Sequence, residues 1–268
     1  MVKGLDLFSE HFKGHLDSFL LIGGVACEQW LALRGRPFRI TRDMDVVLVV
    51  EALSPAFIKH FWSFIQNGHY RRRQKSEMRK EHYRFSRPET PDFPAMIELF
   101  SRRLDTIALD AGQHLTPIPM DVDLSSLSAI LMEDAYYNLA LETRITVGNL
   151  PIVKAEGLIP LKARAWRDLH GRLQRHEPVD KNDVLKHRND IFRLTLALTN
   201  EPFRLCDSIR ADLQSFVNTF PATAPEWGGI MAALQHDGAV EIEPAEILET
   251  LVRHFGLAMP EIGKRGEP

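Results

Sequence analysis

Cysteine is scarce in this chain of 268 residues, where Cys27 and Cys206 stand alone. Two thiols so far apart form neither a disulfide framework nor a C-x-x-C metal motif, so both are expected to be reduced core thiols. None of the eleven histidines belongs to an H-E-x-x-H motif, which excludes the usual zinc-hydrolase helix. No apolar run approaches the roughly 20 residues that cross a bilayer. The stretch from Met1 to Glu10 lacks a basic head followed by an apolar core, so no secretory signal is visible there. The expectation is a cytoplasmic protein with no membrane association. Internal repeats are missing too, and 44% hydrophobic with 26% charged residues excludes a disordered tail or a collagen-like repeat.

The net charge is only −3, but it is unevenly spread. Between Arg71 and Arg87, eight basic residues (Arg71, Arg72, Arg73, Lys75, Arg79, Lys80, Arg84, Arg87) face Glu77 and Glu81, giving +8 − 2 = +6, so the remainder carries −9. Two readings of this stripe stand: a surface for a polyanion, or a solvated hairpin. Tyr70, His82, Tyr83 and Phe85 are interleaved with the cations, as rings that stack on bases would be.

Ser18 to Ile22 is a short apolar run stopped by Gly23-Gly24, and Ala26, Trp30 and Leu33 then recur at helical spacing. The opening unit is therefore strand, glycine pair, helix, with Gly35 as its C-terminal cap. Met44 to Val50 reads as a central strand covered on both sides. Pro55 to Gln66 is an amphipathic helix with proline in its first turn. A strand over His82–Phe85 and another over Ala95–Phe100 follow. Beyond about residue 125 the pattern changes to a helix over Ser125–Leu141, a hairpin turning at Gly148-Asn149, and helices near 157–175, 181–200, 203–218, 224–235 and 244–256. The fold class expected is α/β (α+β), with a catalytic domain over 1–125 and a mainly helical domain over 126–268.

Asp43 and Asp45 flank Met44 where the central strand begins, and period-2 alternation turns both carboxylates to one face. Two carboxylates held together repel unless a cation sits between them, and a hard divalent ion with oxygen ligands suits that place. Glu98 lies mid-strand among Ile97, Leu99 and Phe100, a costly position for a charge without a partner or a metal. Gly23-Gly24 stands between strand and helix, where unpaired amides and the helix dipole favour an anion. If the Glu98 strand neighbours the Asp43–Asp45 strand, three carboxylates converge on one or two ions suited to phosphoryl or nucleotidyl transfer. A second D-x-D, Asp121-Val-Asp123, lacks an upstream glycine turn and a following apolar strand, so no metal is expected there.

Leu21-Ile-Gly-Gly-Val-Ala26, Thr41-Arg-Asp-Met-Asp-Val46 and Ile97-Glu-Leu99 together resemble the DNA-polymerase-β-type nucleotidyltransferase superfamily. Within it the chain is similar to AbiEii-like toxins of type IV toxin–antitoxin systems, through G-G-x-A, T-x-D-M-D and the downstream stretches around Lys162 and Asp180 to Asp190. The core motifs cover about residues 18–100, and the last seventy residues match no motif. Two departures stand out: Gly24 replaces a common serine, and Glu98 a commoner aspartate.

The resemblance implies a nucleotidyltransferase fold with a mixed sheet flanked by helices, followed by a mainly helical part. It further implies Mg2+ (or Mn2+) as cofactor and a nucleoside triphosphate (NTP) as substrate. Asp43, Asp45 and Glu98 would ligate the metal, with Glu98 alternatively acting as base; Gly23 and Gly24 would cradle the triphosphate. Lys162 would neutralise phosphate charge, or else snorkel from an amphipathic helix. Asp183, His187 and Asp190 share a helix face that lines a cleft or is solvated, with Asp190 assigned to catalysis and Asp183 to the nucleotide. Arg42 projects opposite the aspartates and is structural. Expected partners are RNA or tRNA, through Arg71, Arg72, Arg73, Lys75, Arg79 and Lys80, and a cognate antitoxin. Two alternatives remain: transfer to a small molecule or protein hydroxyl, and a catalytically silent module of the same fold.

Overall fold

Short apolar runs punctuated by glycine and proline become strands, and the longer amphipathic stretches become helices. The computed structural model describes residues 2–72, 83–102, 115–117, 128–236 and 242–261. These residues group into two units, one of Met1–Gln29 with Ile40–Lys154 and one of Trp30–Arg39 with Ala155–Pro268.

In the first unit, α1 (Leu5–Phe12) precedes β1 (Phe19–Ile22), α2 (Gly23–Ala32), which from Trp30 onward is counted with the second unit, and β2 (Asp43–Leu48). Then come α3 (Pro55–Asn67), β3 (Arg71–Arg72), β4 (Arg84–Ser86) and β5 (Met96–Ser101). Completing it are β6 (Leu115–Pro117), β7 (Ser128–Leu131), α4 (Asp134–Glu142), β8 (Arg144–Val147) and β9 (Leu150–Val153). The strands form one mixed sheet in the order β3-β4-β5-β2-β1-β9-β8, with β7 pairing both β5 and β6. β1 and β2 run antiparallel, whereas β2 and β5 run parallel, as do β1 and β9. The mixed α/β class expected from the sequence is the observed one, including the helical part that follows.

One face of this sheet is covered by aromatic packing. Phe8 and Phe12 of α1, Phe57, Phe61 and Phe64 of α3, and Phe19 and Phe85 of the sheet are all fully buried. Phe8 meets Phe19 edge-on at 5.5 Å, and Phe61 meets Phe85 at 5.6 Å between centroids. Ser54 caps α3, its Oγ accepting from the Phe57 amide at 3.2 Å, and Pro55 opens the first turn. His11 and His15, in an H-x-x-x-H spacing that is a metal signal only with further donors, sit beside His60. The His11 and His60 rings stack at 3.9 Å, and each Nε2 bonds the other's backbone carbonyl.

Two expectations need correction here. The stretch Ser125–Leu141 is not one helix: β7 pairs in parallel with β5, and among the described residues of the stretch the helix begins at Asp134. Ser-Ala-Ile-Leu is too short an apolar run for periodicity to separate strand from helix. The boundary expected after residue 125 falls inside the first unit, because β7 and the β8–β9 hairpin extend the sheet.

The second unit is helical, with α5 (Ala155–Gln174), α6 (Lys181–Thr195), α7 (Asp207–Thr219), α8 (Trp227–His236) and α9 (Pro244–Phe255). Trp166, Phe192, Phe216, Phe220 and Trp227 form its aromatic centre, with Phe192 and Trp227 at 4.7 Å. Cys27 is buried as expected, but Cys206 is exposed at the N-terminal end of α7. No helix among the described residues is long and apolar enough to cross a membrane.

Candidate active site

The register of the sheet decides which side chains can meet. Ile22 of β1 lies opposite Asp45 of β2, Asp45 opposite Glu98 of β5, and Glu98 opposite Arg84 of β4. Residues opposite one another on neighbouring strands share a face, so Arg84, Glu98 and Asp45 form one polar row. Asp43, two residues from Asp45, joins the same face. Phe85 points the other way, into the aromatic layer around Phe61 and Trp62. The acids thus occupy the face opposite the aromatic core.

Gly23 begins α2 directly after β1, with φ +63°. A Cβ there would fall 1.8 Å from Asp45 Oδ2, so the carboxylate occupies the place a side chain would take. Only glycine serves both the left-handed backbone and this approach. At Gly24 the added Cβ would lie 2.3 Å from Thr41 Oγ1. A side chain at this position would therefore run into the Thr41 hydroxyl. Thr41 thus lies against the glycine turn, with no signal of its own in the sequence beyond its place in Thr41-Arg-Asp-Met-Asp45.

Glu98 is buried and carries a partner that sequence reasoning did not assign. Arg84 Nε donates to Glu98 Oε1 at 2.6 Å, and Nη2 contacts the same oxygen. Asp43 is exposed and Asp45 half-buried. Three carboxylates on one face, with a glycine turn shaped around one of them, suit a hard divalent cation in donor chemistry. Among the described residues, however, no three His, Cys, Asp or Glu side chains stand grouped to hold an ion. Glu98 is turned to Arg84 instead.

In the second unit a different charge cluster surrounds Asp190. This carboxylate is fully buried in α6. Arg39 Nε and Nη2 donate to it at 3.1 and 2.7 Å, Lys162 Nζ at 2.9 Å and Arg193 Nη1 at 2.7 Å. Burial pushes the Asp190 carboxyl up, but the Lys162 and Arg39 charges outweigh it and hold the group at about 2. Lys162 is itself 4% exposed, which excludes the snorkelling alternative. Asp190, the residue assigned to catalysis by resemblance, is a buried anchor for three cations. Asp183 is half-buried and pairs with Lys186 at 2.9 Å. His187, beside this cluster, is driven down to about 4, first by burial and then by the Lys162 charge. Its Nδ1 is buried without a hydrogen-bond partner among the described residues.

Of the basic stripe, Arg71, Arg84 and Arg87 are described with their side chains, while Arg73, Lys75, Arg79 and Lys80 lie outside the described residues, as do His82, Asp121 and Asp123. Arg72 lies opposite Phe85, and Arg71 opposite Ser86, two residues from Arg84, which places Arg71 on the acid face. Two of the interleaved rings are not available for stacking. Tyr70 is buried, its hydroxyl donating to Pro94 O at 2.6 Å, and Phe85 is wholly buried.

Compared with profiles of known protein families and with curated proteins, the chain matches none.

Proposed function

We propose that this protein is a Mg2+- or Mn2+-dependent nucleotidyltransferase that moves a nucleoside monophosphate from an NTP to a hydroxyl of RNA, tRNA in particular. The observation that carries the reading is the row Asp45–Glu98 on adjacent parallel strands, with Asp45 lying against the glycine turn that opens α2. Asp43, Asp45 and Glu98 would hold the metal. When bound, such an ion supplies positive charge to the phosphates and lowers the pKa of the attacking hydroxyl.

The backbone amides at Gly23 and Gly24 begin a helix and suit an anionic phosphate. Thr41 adds a hydroxyl donor beside Gly24. The acceptor oxygen forms its bond to the α-phosphorus as the bond to the β-phosphate oxygen breaks and pyrophosphate leaves. The hydroxyl proton passes to water where Glu98 is a metal ligand, and to the Glu98 carboxylate where that residue acts as base instead. The resemblance assigns Lys162 to phosphate charge and Asp183 to the nucleotide; the Lys162 ammonium itself is buried and donates to Asp190. By the same resemblance the protein acts as a toxin restrained by a cognate antitoxin.

Burial of Tyr70 and Phe85 favours a second reading, transfer to a small-molecule or protein hydroxyl without base stacking. One experiment separates them. Purified protein is incubated with total RNA or with protein extract and each α-labelled NTP, and the label is followed. Label in RNA, lost in Asp43→Ala, supports the first reading. Label only in protein or small molecules supports the second, and no transfer from any NTP removes both. For the toxin role, growth arrest on expression should be relieved by Asp43→Ala; arrest that persists disconnects toxicity from the acids.

A further inference from the structure

Resting on the reading of the acids as a metal site, we infer that Arg84 is a positioning residue that keeps Glu98 out of metal coordination until a polyanion takes the guanidinium. Arg84 and Glu98 are opposite one another on β4 and β5, and the contact is charge-assisted through both Nε and Nη2. Glu98 retains little exposure, 11% for its side chain, whereas that of Arg84 retains 32%. The carboxylate is enclosed, and its cation is the part within reach of solvent. The guanidinium therefore neutralises Glu98 from the β4 side, across β5 from Asp45. It and a divalent ion compete for one carboxylate.

The partner that draws Arg84 away must be anionic and extended along the sheet edge. Arg84 lies on β4, next to edge strand β3, and Arg71 shares its face. Two arginines on the same face as Asp43, Asp45 and Glu98 match successive phosphates of a nucleic-acid strand approaching the acids. A phosphate that pairs with Arg84 releases Glu98, and an ion on Glu98 releases Arg84. The two ligands then bind with positive coupling, which is reciprocal by linkage.

Mn2+ binding to the full-length protein, read as free Mn2+ by electron paramagnetic resonance without nucleic acid, tests the competition. Arg84→Gln should bind Mn2+ about tenfold more tightly than wild type. Arg71→Gln removes the same charge from the same face without touching Glu98, and should shift binding by no more than about twofold, as expected of an exposed charge. Arg84→Lys covers the case that Arg84→Gln does not fold. A point cation lacks the fork and gives up Glu98 more readily, so it too should raise affinity. Anisotropy of a short labelled oligoribonucleotide without divalent ions tests the other side. Glu98→Gln should tighten its binding more than Asp43→Asn does. Mn2+ affinity in the Arg84 variants no higher than in Arg71→Gln overturns the inference while leaving the metal site standing. Absence of Mn2+ binding by wild type and Arg84 variants alike overturns it together with the reading beneath it.

Discussion

A methyl group added to Gly23 would sit 1.8 Å from Oδ2 of Asp45. The turn that opens α2 and the second acid of Asp43-Met-Asp45 are thus shaped around each other. Gly23→Ala should therefore act twice, through its left-handed φ and through the displaced carboxylate. A loss of about 1–3 kcal/mol in denaturant unfolding is expected, with weakened Mn2+ binding beside it. A fully stable variant with unchanged Mn2+ affinity would separate the glycine from the acid.

Gly24 and Thr41 should behave as a coupled pair. Gly24→Ser alone forces its Cβ into the Thr41 hydroxyl, 2.3 Å away, and costs about 1–3 kcal/mol. Combined with Thr41→Ala the space is vacated, and most of that loss should return, an interaction of about 0.5–3 kcal/mol in a double-mutant cycle. Additive effects on the midpoint of urea unfolding would contradict the contact.

Asp190 should be among the most sensitive positions for stability. Asp190→Asn removes the carboxylate to which Lys162 and Arg193, both buried, and the partly buried Arg39 donate, with an expected cost of about 3–5 kcal/mol. Lys162→Met in that background should cost less than it does alone, because Lys162 and Asp190 are in direct contact. Equilibrium unfolding of the three variants checks the sign.

Acid sensitivity should arise from the same helix. His187 falls from an ordinary 6.5 to about 4, so the unfolded chain binds the extra proton between those values. Its contribution is present above pH 6.5 and lost as pH falls toward 4, by roughly 3 kcal/mol at most. Asp190, held at about 2 against an ordinary 3.8, adds a loss only below pH 3.8. His187→Gln should flatten the stability profile between pH 6.5 and 4 and leave the steeper fall below it. An unchanged slope in the upper window would exclude the imidazole.

Much of the chain was legible because its elements end at glycine or proline. Gly23-Gly24 separates β1 from α2, Ser54-Pro55 opens α3, and Gly148 at φ +58° turns the β8–β9 hairpin. The pairing of Asp45 with Glu98 could be posed from the sequence as a question of neighbouring strands, and the register answers it. Other relationships leave no local trace. Arg39 reaches Asp190 across 151 residues, which ties Trp30–Arg39 to the helical unit although it interrupts the first. Arg84 reads in the sequence as one more cation of a basic stripe, yet its partner is an acid on the next strand. Tyr70 and Phe85 alternate with cations like stacking rings, but alternation in a strand equally sends every second residue into the core.

The central claim is that acids far apart in sequence share one divalent ion beside the Gly23 turn. Crystals of the full-length protein grown with MnCl2 and a non-hydrolysable NTP analogue, measured for anomalous scattering from manganese, address it most directly. The expected map shows density between the carboxylates of Asp43, Asp45 and Glu98, with Arg84 turned away from Glu98. Manganese bound elsewhere, or no anomalous peak at these acids in a protein holding the nucleotide, would contradict it.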